Sequence, residues 1–187
     1  MPSLSEQLEE LEVLTREMKN HLSEVEQASQ VILNALKAGG KVLTCGNGGS
    51  ASDAMHLVEE LVGRYCGDRV ALPAIALVAD PTVMTCIAND WSYDDVFSRQ
   101  VEAHGQEGDV LVGFSTSGNS PSIVKAFTVA RERGVKTIGL LGKTGGSCLE
   151  VTDLSIVVPH NNTARIQEMH TWLLHVFLET VEEAYTS

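Results

Sequence analysis

The sequence predicts an α/β fold: a doubly wound, three-layer sandwich with a five-stranded parallel sheet between helices, preceded by a long N-terminal helix. Three observations carry this. Short apolar runs alternate with helical stretches from residue 41 onward. Those runs are apolar nearly throughout, as parallel strands covered on both faces are. Residues 4–36 keep a seven-residue apolar repeat.

The N-terminal segment is the most regular. Leu4, Leu11, Met18, Val25 and Ile32 recur every seven residues, and Leu8, Thr15, Leu22, Ser29 and Leu36 form a second series offset by four. Together they make an a/d seam. Ser3 with Glu6 offers a capping box at its start, and Gly39-Gly40 ends it. The spacing predicts one helix of roughly 50 Å, longer than a domain of this size needs to cover itself. We read the seam as a homo-oligomerisation surface; an intramolecular packing helix is the alternative.

Five strands follow: "KVLTCG" (41–46), "LPAIALV" (72–78), "DVLVGFS" (109–115), "KTIGLLG" (136–142) and "LSIVVP" (154–159). Residues 50–64, 82–105 and 120–133 and a short turn at 146–151 supply the crossovers, and an amphipathic helix over 164–185 closes the order. No linker or low-complexity tract interrupts it. We therefore expect one domain over 1–187, with 1–39 as the oligomerisation helix and 40–187 as the α/β core. In such a sheet, ligands sit beyond the C-terminal ends of the strands.

Composition narrows the partners. The 187 residues are 43% hydrophobic and 20% charged, ordinary for a soluble globular protein. The net charge of −12, without a block of Lys or Arg, argues against nucleic acid as a partner. A bound phosphate would need local donors. No apolar run approaches a membrane span, and the N-terminus lacks a basic region followed by an apolar block, so the expectation is a cytoplasmic protein with no membrane partner. Cys45, Cys66, Cys86 and Cys148 form no C-x-x-C pair, so buried reduced thiols are expected.

Two strand-to-helix loops share a design. "GNGGS" (46–50) follows the first strand, where glycines permit tight turns while Asn47, Ser50 and exposed N–H groups can hold oxygens. It is neither G-x-G-x-x-G nor a P-loop. "FSTSGNS" (114–120) follows the third, with Pro121 suited to a first helical turn and Ser120 to its cap. Ser115, Thr116, Ser117 and Ser120 surround a glycine there and form a hydroxyl-rich anion nest. On the helix after the first loop, Met55, Leu57, Val58 and Leu61 read as the buried side. His56 and Glu60, four residues apart, project from another stripe that Arg64 continues.

The segments "CGNGGSASDAMH", "AIANDWSYDDVFSRQV", "STSGNS" and "ARIQEMH", in this order and spacing, resemble the sugar isomerase (SIS) domain in its single-domain form, and specifically the phosphoheptose isomerases. The resemblance covers essentially the whole chain. It implies an SIS-type sandwich and aldose-ketose interconversion of sedoheptulose 7-phosphate and D-glycero-D-manno-heptose 7-phosphate, feeding heptose for a bacterial cell-surface glycan such as lipopolysaccharide. Moving a proton between C1 and C2 needs a base near carbon, an acid near oxygen and a clamp on the phosphate. In the resemblance Glu60 is the general base and His175 the general acid, with His56 and Gln167 completing the site. It further implies Zn²⁺ held by His56, Glu60, Gln167 and His175, and a homotetramer. Asn47, Gly48, Gly49, Asn89, Asp90 and Gln167 fall on positions that contact the sugar, and Ser115, Thr116, Ser117 and Ser120 are assigned to the phosphate.

Several residues need a separate reading. Gln167 and His175 lie roughly 12 Å apart along any one helix, too far to share a zinc ion. Either Gln167 precedes the helix, or the two ligands come from different subunits; the second is favoured because the seam already predicts assembly. A zinc-bound carboxylate is also a weaker base, which leaves the division of labour between Glu60 and the metal open. Arg64 either faces the site or pairs with an acidic neighbour. His170 is read as a structural hydrogen-bonding histidine, Asp94 and Asp95 as caps of the helix "DVFSRQVEAHG", and Cys45 as a buried strand residue. Two alternatives stand beside the enzyme: a non-catalytic SIS adaptor of the bacterial replication initiator, and a sugar-phosphate-sensing module. Glu60 and His175 discriminate, since the adaptors resemble this chain except at these two positions.

Overall fold

A computed structural model describes residues 2–186. Five strands form one parallel sheet: β1 (Val42–Gly46), β2 (Ala74–Ala76), β3 (Val110–Ser115), β4 (Lys136–Gly142) and β5 (Leu154–Val158), in the order β2-β1-β3-β4-β5. Leu43, Leu111 and Leu141 project into one apolar layer, while Val42, Val110, Val112, Phe114, Ile138 and Leu140 project into the other. Coverage on both faces is why the strand sequences are apolar without alternation. The sheet and its flanking helices are as the sequence predicts. The 72–78 run yields only a short edge strand.

Three helices cover each face. α2 (Leu22–Lys37), α3 (Gly49–Val62) and α7 (Thr163–Tyr185) pack on one layer; α4 (Pro81–Asp90), α5 (Ser98–His104) and α6 (Pro121–Glu132) pack on the other. The stretch 82–105, read as a crossover, is divided. α4 ends at Asp90, a 3-10 turn spans Tyr93–Asp95, and α5 begins at Ser98. Asp94 and Asp95 do not cap α5, whose N-cap position is Phe97. Asp95 instead accepts from Ser92 Oγ (2.5 Å) and from Lys125 Nζ (2.9 Å) on α6.

The N-terminal helix is also interrupted. Ser3 and Glu6 form the expected capping box at the start of α1 (Leu4–Glu17), but a 3-10 turn at Met18–His21 separates it from α2. That turn holds Asn20 and His21, weak helix formers, and a 3-10 segment lets the axis bend. The seam divides accordingly. Val25, Ser29, Ile32 and Leu36 on α2 are buried within the chain, so this half follows the packing-helix alternative. Leu4 is 81% exposed and Leu8 69%, so the first two seam positions have no partner in the monomer, while Leu11 packs against the core and Met18 is buried in it.

Candidate active site

Strand order 2-1-3-4-5 puts a topological switch point between β1 and β3, where crossovers leave in opposite directions and open a crevice at the strand ends. The loops after these two strands are the two singled out in the sequence. In the first, Gly48 takes φ +58°, and a Cβ on Gly49 would lie 2.3 Å from Gln167 Nε2. Glycine is what lets the last helix lay an amide against this turn. α3 starts here without any side-chain cap; Ser50 and Ala51 N–H donate to the Asn47 and Gly48 carbonyls (3.1 and 3.0 Å), and the Gly49 N–H is the group this helix start can offer a ligand.

The second loop is held by its own hydroxyls. Gly118 N–H donates to Ser115 Oγ (3.1 Å), Ser115 and Ser120 hydroxyls lie 3.4 Å apart, and Asn119 N–H donates to Ser117 Oγ (3.1 Å). Gly118 has φ +66°, and any Cβ there would collide with the carbonyl of Gly145. Asn119 Oδ1 accepts from Ser147 N–H (2.9 Å) and Oγ (3.1 Å), fixing the loop's far side. Pro121 occupies the first turn of α6 as expected. Ser120 sits at the N-cap, but its hydroxyl makes no cap bond. Pro121 has no N–H, and Ile123 and Val124 N–H donate to the Ser120 carbonyl (3.0 Å each), so the Ser122 N–H and the Ser120 hydroxyl are what this helix start can offer an anion.

α3 and α7 run parallel, and their contacts climb in step. Gly49 meets Gln167, Thr171 Oγ1 donates to Asp53 Oδ1 (3.0 Å), and the His56 and His175 rings lie 5.1 Å apart in a T-shaped arrangement. Beyond the end of α3, the Tyr65 ring stacks on His175 at 5.9 Å, and Glu182 receives the loop 63–70. His56 Nε2 lies 3.6 Å from Glu60 Oε1. One chain therefore gathers His56, Glu60 and His175, all partly exposed, with His56 in the middle.

Gln167 stays apart from them. It and His175 belong to the same continuous helix, which removes the alternative that Gln167 precedes the helical geometry. Its amide lies at Gly49, about two turns of α3 before His56. Ligand atoms of His56, Glu59 and Glu60 lie within 4.8 Å of one another, which makes a divalent metal chemically suitable here. Glu59, exposed, was not singled out in the sequence. Imidazole and carboxylate donors suit zinc; one chain does not bring the amide of Gln167 to the same point.

The remaining sequence-predicted residues fall as follows. Asn47, on the first loop, donates from Nδ2 to Ser122 Oγ (3.0 Å) and accepts at Oδ1 from Tyr93 (2.8 Å). Asn89 and Asp90 are exposed at the end of α4, joined by an amide-carboxylate bond of 2.8 Å. Arg64 is exposed, donates to the Cys66 carbonyl (3.4 Å), and has no carboxylate partner among the described residues. His170 is fully buried, with Nε2 3.3 Å from the Leu141 carbonyl, and burial pushes its pKa down to about 4. Cys45 and Cys148 are buried as expected, but Cys66 and Cys86 are exposed, since they sit in a loop and on the outer side of α4.

Four groups were missed because their partners are remote in sequence. Arg69, its side chain 1% exposed, pairs with Glu182 at 2.9 Å and donates to the carbonyls of Glu60 and Leu61 that end α3. Glu182 also receives the backbone N–H groups of Cys66 and Gly67. Burial alone would raise its pKa; those two N–H groups and the guanidinium outweigh it and hold the carboxyl below the usual range. Asp53 is buried with Oδ2 unpartnered, and burial pushes its pKa up against the Thr171 hydrogen bond and the nearby His56. Tyr65, over His175, has its phenol pKa raised by burial and then by Glu179.

Comparison with known proteins fits this geometry. Residues 8–142 match the SIS domain family. The chain is 53% identical to a phosphoheptose isomerase of Citrifermentans bemidjiense over 158 residues, 84% of this chain and 82% of that one. It superposes on a phosphoheptose isomerase from Neisseria gonorrhoeae with a TM-score of 0.91 and 40% identity, covering 96% and 97% of the two chains. For the one from Francisella tularensis the values are 0.93 and 33%, over 98% and 100%. The chain belongs to the SIS-domain family and, within it, to the phosphoheptose isomerases.

Proposed function

We propose that this enzyme interconverts sedoheptulose 7-phosphate and D-glycero-D-manno-heptose 7-phosphate, supplying heptose for a bacterial cell-surface glycan from the cytoplasm. The observation that carries the reading is the meeting of His56, Glu60 and His175 between two parallel helices, about two turns along α3 from the first loop. In this reading residues 1–187 act as one SIS domain. The phosphate rests on Ser115, Thr116, Ser117 and Ser120 at the start of α6. Asn47, Gly48, Gly49, Asn89, Asp90 and Gln167 hold the polyol, and Arg64, exposed one turn beyond Glu60, lies at its rim.

Glu60 removes a proton from C1 of the open-chain ketose while His175 donates one to the C2 carbonyl oxygen, giving an enediol. Return of a proton to C2 and loss of one from the C1 hydroxyl give the aldose, so no atom is gained or lost. Tyr65, stacked on His175, limits rotation of the imidazole. His56, Glu60 and His175 would hold Zn²⁺, with Gln167 contributed by another copy of the chain. When bound, zinc would polarise the sugar oxygens and stabilise the developing negative charge.

That arrangement requires a homo-oligomer, taken here as a homotetramer. Its support is the exposed Leu4 and Leu8 at the start of the seam and an apolar groove of about 250 Å³ lined by Met18, Leu22, Met169 and Trp172. Two measurements test the proposal. Purified chain, with and without added Zn²⁺, is incubated with sedoheptulose 7-phosphate and the aldose product followed; no turnover with metal supplied points to the adaptor. Light scattering of the Leu8→Glu variant gives a smaller particle if α1 assembles the oligomer, and an unchanged tetramer would refute that role.

A further inference from the structure

Three segments distant in sequence converge on Asn47. It follows β1; Tyr93 opens the 3-10 turn after α4; Ser122 lies in the first turn of α6. Tyr93 is 54% exposed, and its hydroxyl lies 2.8 Å from Asn47 Oδ1. Ser122 is buried and lies 3.0 Å from Nδ2. Both hydroxyls can donate or accept, so the amide can be placed either way round with the same result. Its plane is fixed from two sides, and one N–H and one oxygen lone pair remain unused.

The turn that carries Tyr93 is itself anchored. Asp95 ties it to Ser92 at 2.5 Å and to Lys125 of α6 at 2.9 Å, and the Ser92 hydroxyl, then Lys125, hold that carboxyl below the usual range. Val96 and Phe97 are fully buried beneath it. A large aromatic side chain on an exposed surface has no packing need to be held this way. In the same segment, Arg99 lies 3.9 Å over the Trp91 ring.

We propose that Tyr93 is a substrate-positioning residue: its hydroxyl, with that of Ser122, holds the Asn47 amide so that its spare N–H and lone pair meet the hydroxyls of an open-chain polyol phosphate. This rests on the reading that Asn47 contacts the sugar. Tyr93 acts through Asn47 and touches no reacting atom, so its effect falls on binding in ground and transition states alike.

The test is a double-mutant cycle of Tyr93→Phe and Asn47→Ala, read by turnover of sedoheptulose 7-phosphate and by calorimetric binding of the same sugar to Glu60→Gln backgrounds. Tyr93→Phe should raise KM and Kd about fivefold, the scale of one neutral hydrogen bond, with kcat within about twofold and the melting temperature unmoved. In an Asn47→Ala background the same change should have no effect. An unchanged KM in Tyr93→Phe, or an equal rise with Asn47 already removed, overturns the inference while leaving the isomerase reading intact. Failure of the unmutated chain to bind the sugar overturns both.

Discussion

The two ends of the α3–α7 pair are built to opposite rules. At the far end, beyond Val62, the buried charges are closed off: Arg69 is spent on Glu182 and on carbonyls of α3, and Glu182 receives Arg69, Cys66 and Gly67. At the near end, Asp53 Oδ2 is buried without a partner, and α3 begins without a side-chain cap. Satisfied polar groups hold a loop; unsatisfied ones keep a place for something else. His56, Glu60 and His175 stand between the two.

The comparison breaks most sharply at those three residues. Glu60→Gln and His175→Gln should each lower kcat by about three to four orders of magnitude, the range of a general acid or base. Both lie on the partly exposed seam between the ends, so the melting temperature should stay within a few degrees. Retained turnover in Glu60→Gln would remove the base from the mechanism. At the sealed end the pattern inverts. Arg69→Met leaves the Glu182 carboxylate buried without its cation, and should cost about 4 kcal/mol in denaturant unfolding. Its kcat should fall far less than that of Glu60→Gln. A stable Arg69→Met with turnover abolished would show that the two ends are not separable.

These ends were not equally readable in the sequence. β1, β3 and β4 were plain because burial on both faces removes the polar alternation that blurs a strand. His56 and Glu60 were plain because a four-residue spacing fixes their common stripe. The Arg69–Glu182 and Asp53–Thr171 pairs were invisible, since each joins groups more than 100 residues apart and nothing local in either segment marks the other. The break at Met18–His21 was missed for a different reason. The seven-residue repeat runs through it undisturbed, so periodicity alone gave no sign that tertiary packing buries the α2 seam and leaves Leu4 and Leu8 exposed. The division of 82–105 had a local signal in the polar run at Ser92, Asp94 and Asp95, read there as a cap rather than a turn.

A smaller effect isolates burial from chemistry. His170 lies on α7 between the two ends but faces the sheet, and burial sets its pKa at about 4. A free imidazole titrates near about 6.5. Between these values the unfolded chain binds a proton that the folded chain excludes, so stability falls as pH drops through this window and is unaffected above it. By linkage the loss approaches about 3 kcal/mol at the acid side. Denaturant titrations from pH 7 to 4.5 should show that slope, and His170→Gln should flatten it; an unaltered slope would place the acid sensitivity elsewhere.

The smallest expected change is the most direct on the open end. Asp53→Asn keeps an oxygen for the Thr171 hydroxyl and removes a buried charge whose second oxygen has no partner. Burial raises the Asp53 pKa, so the ionised carboxyl costs the folded state stability above that pKa, and the cost disappears below the unfolded value. The variant should therefore be more stable by about 1 kcal/mol at neutral pH, with the difference vanishing as pH falls. Turnover should fall by about three- to tenfold, because the negative charge beside His56 is lost. A gain in stability with a loss in rate would mark the unpaired oxygen as retained for function. A loss of both would mean that Asp53, like Glu182, belongs to the scaffold.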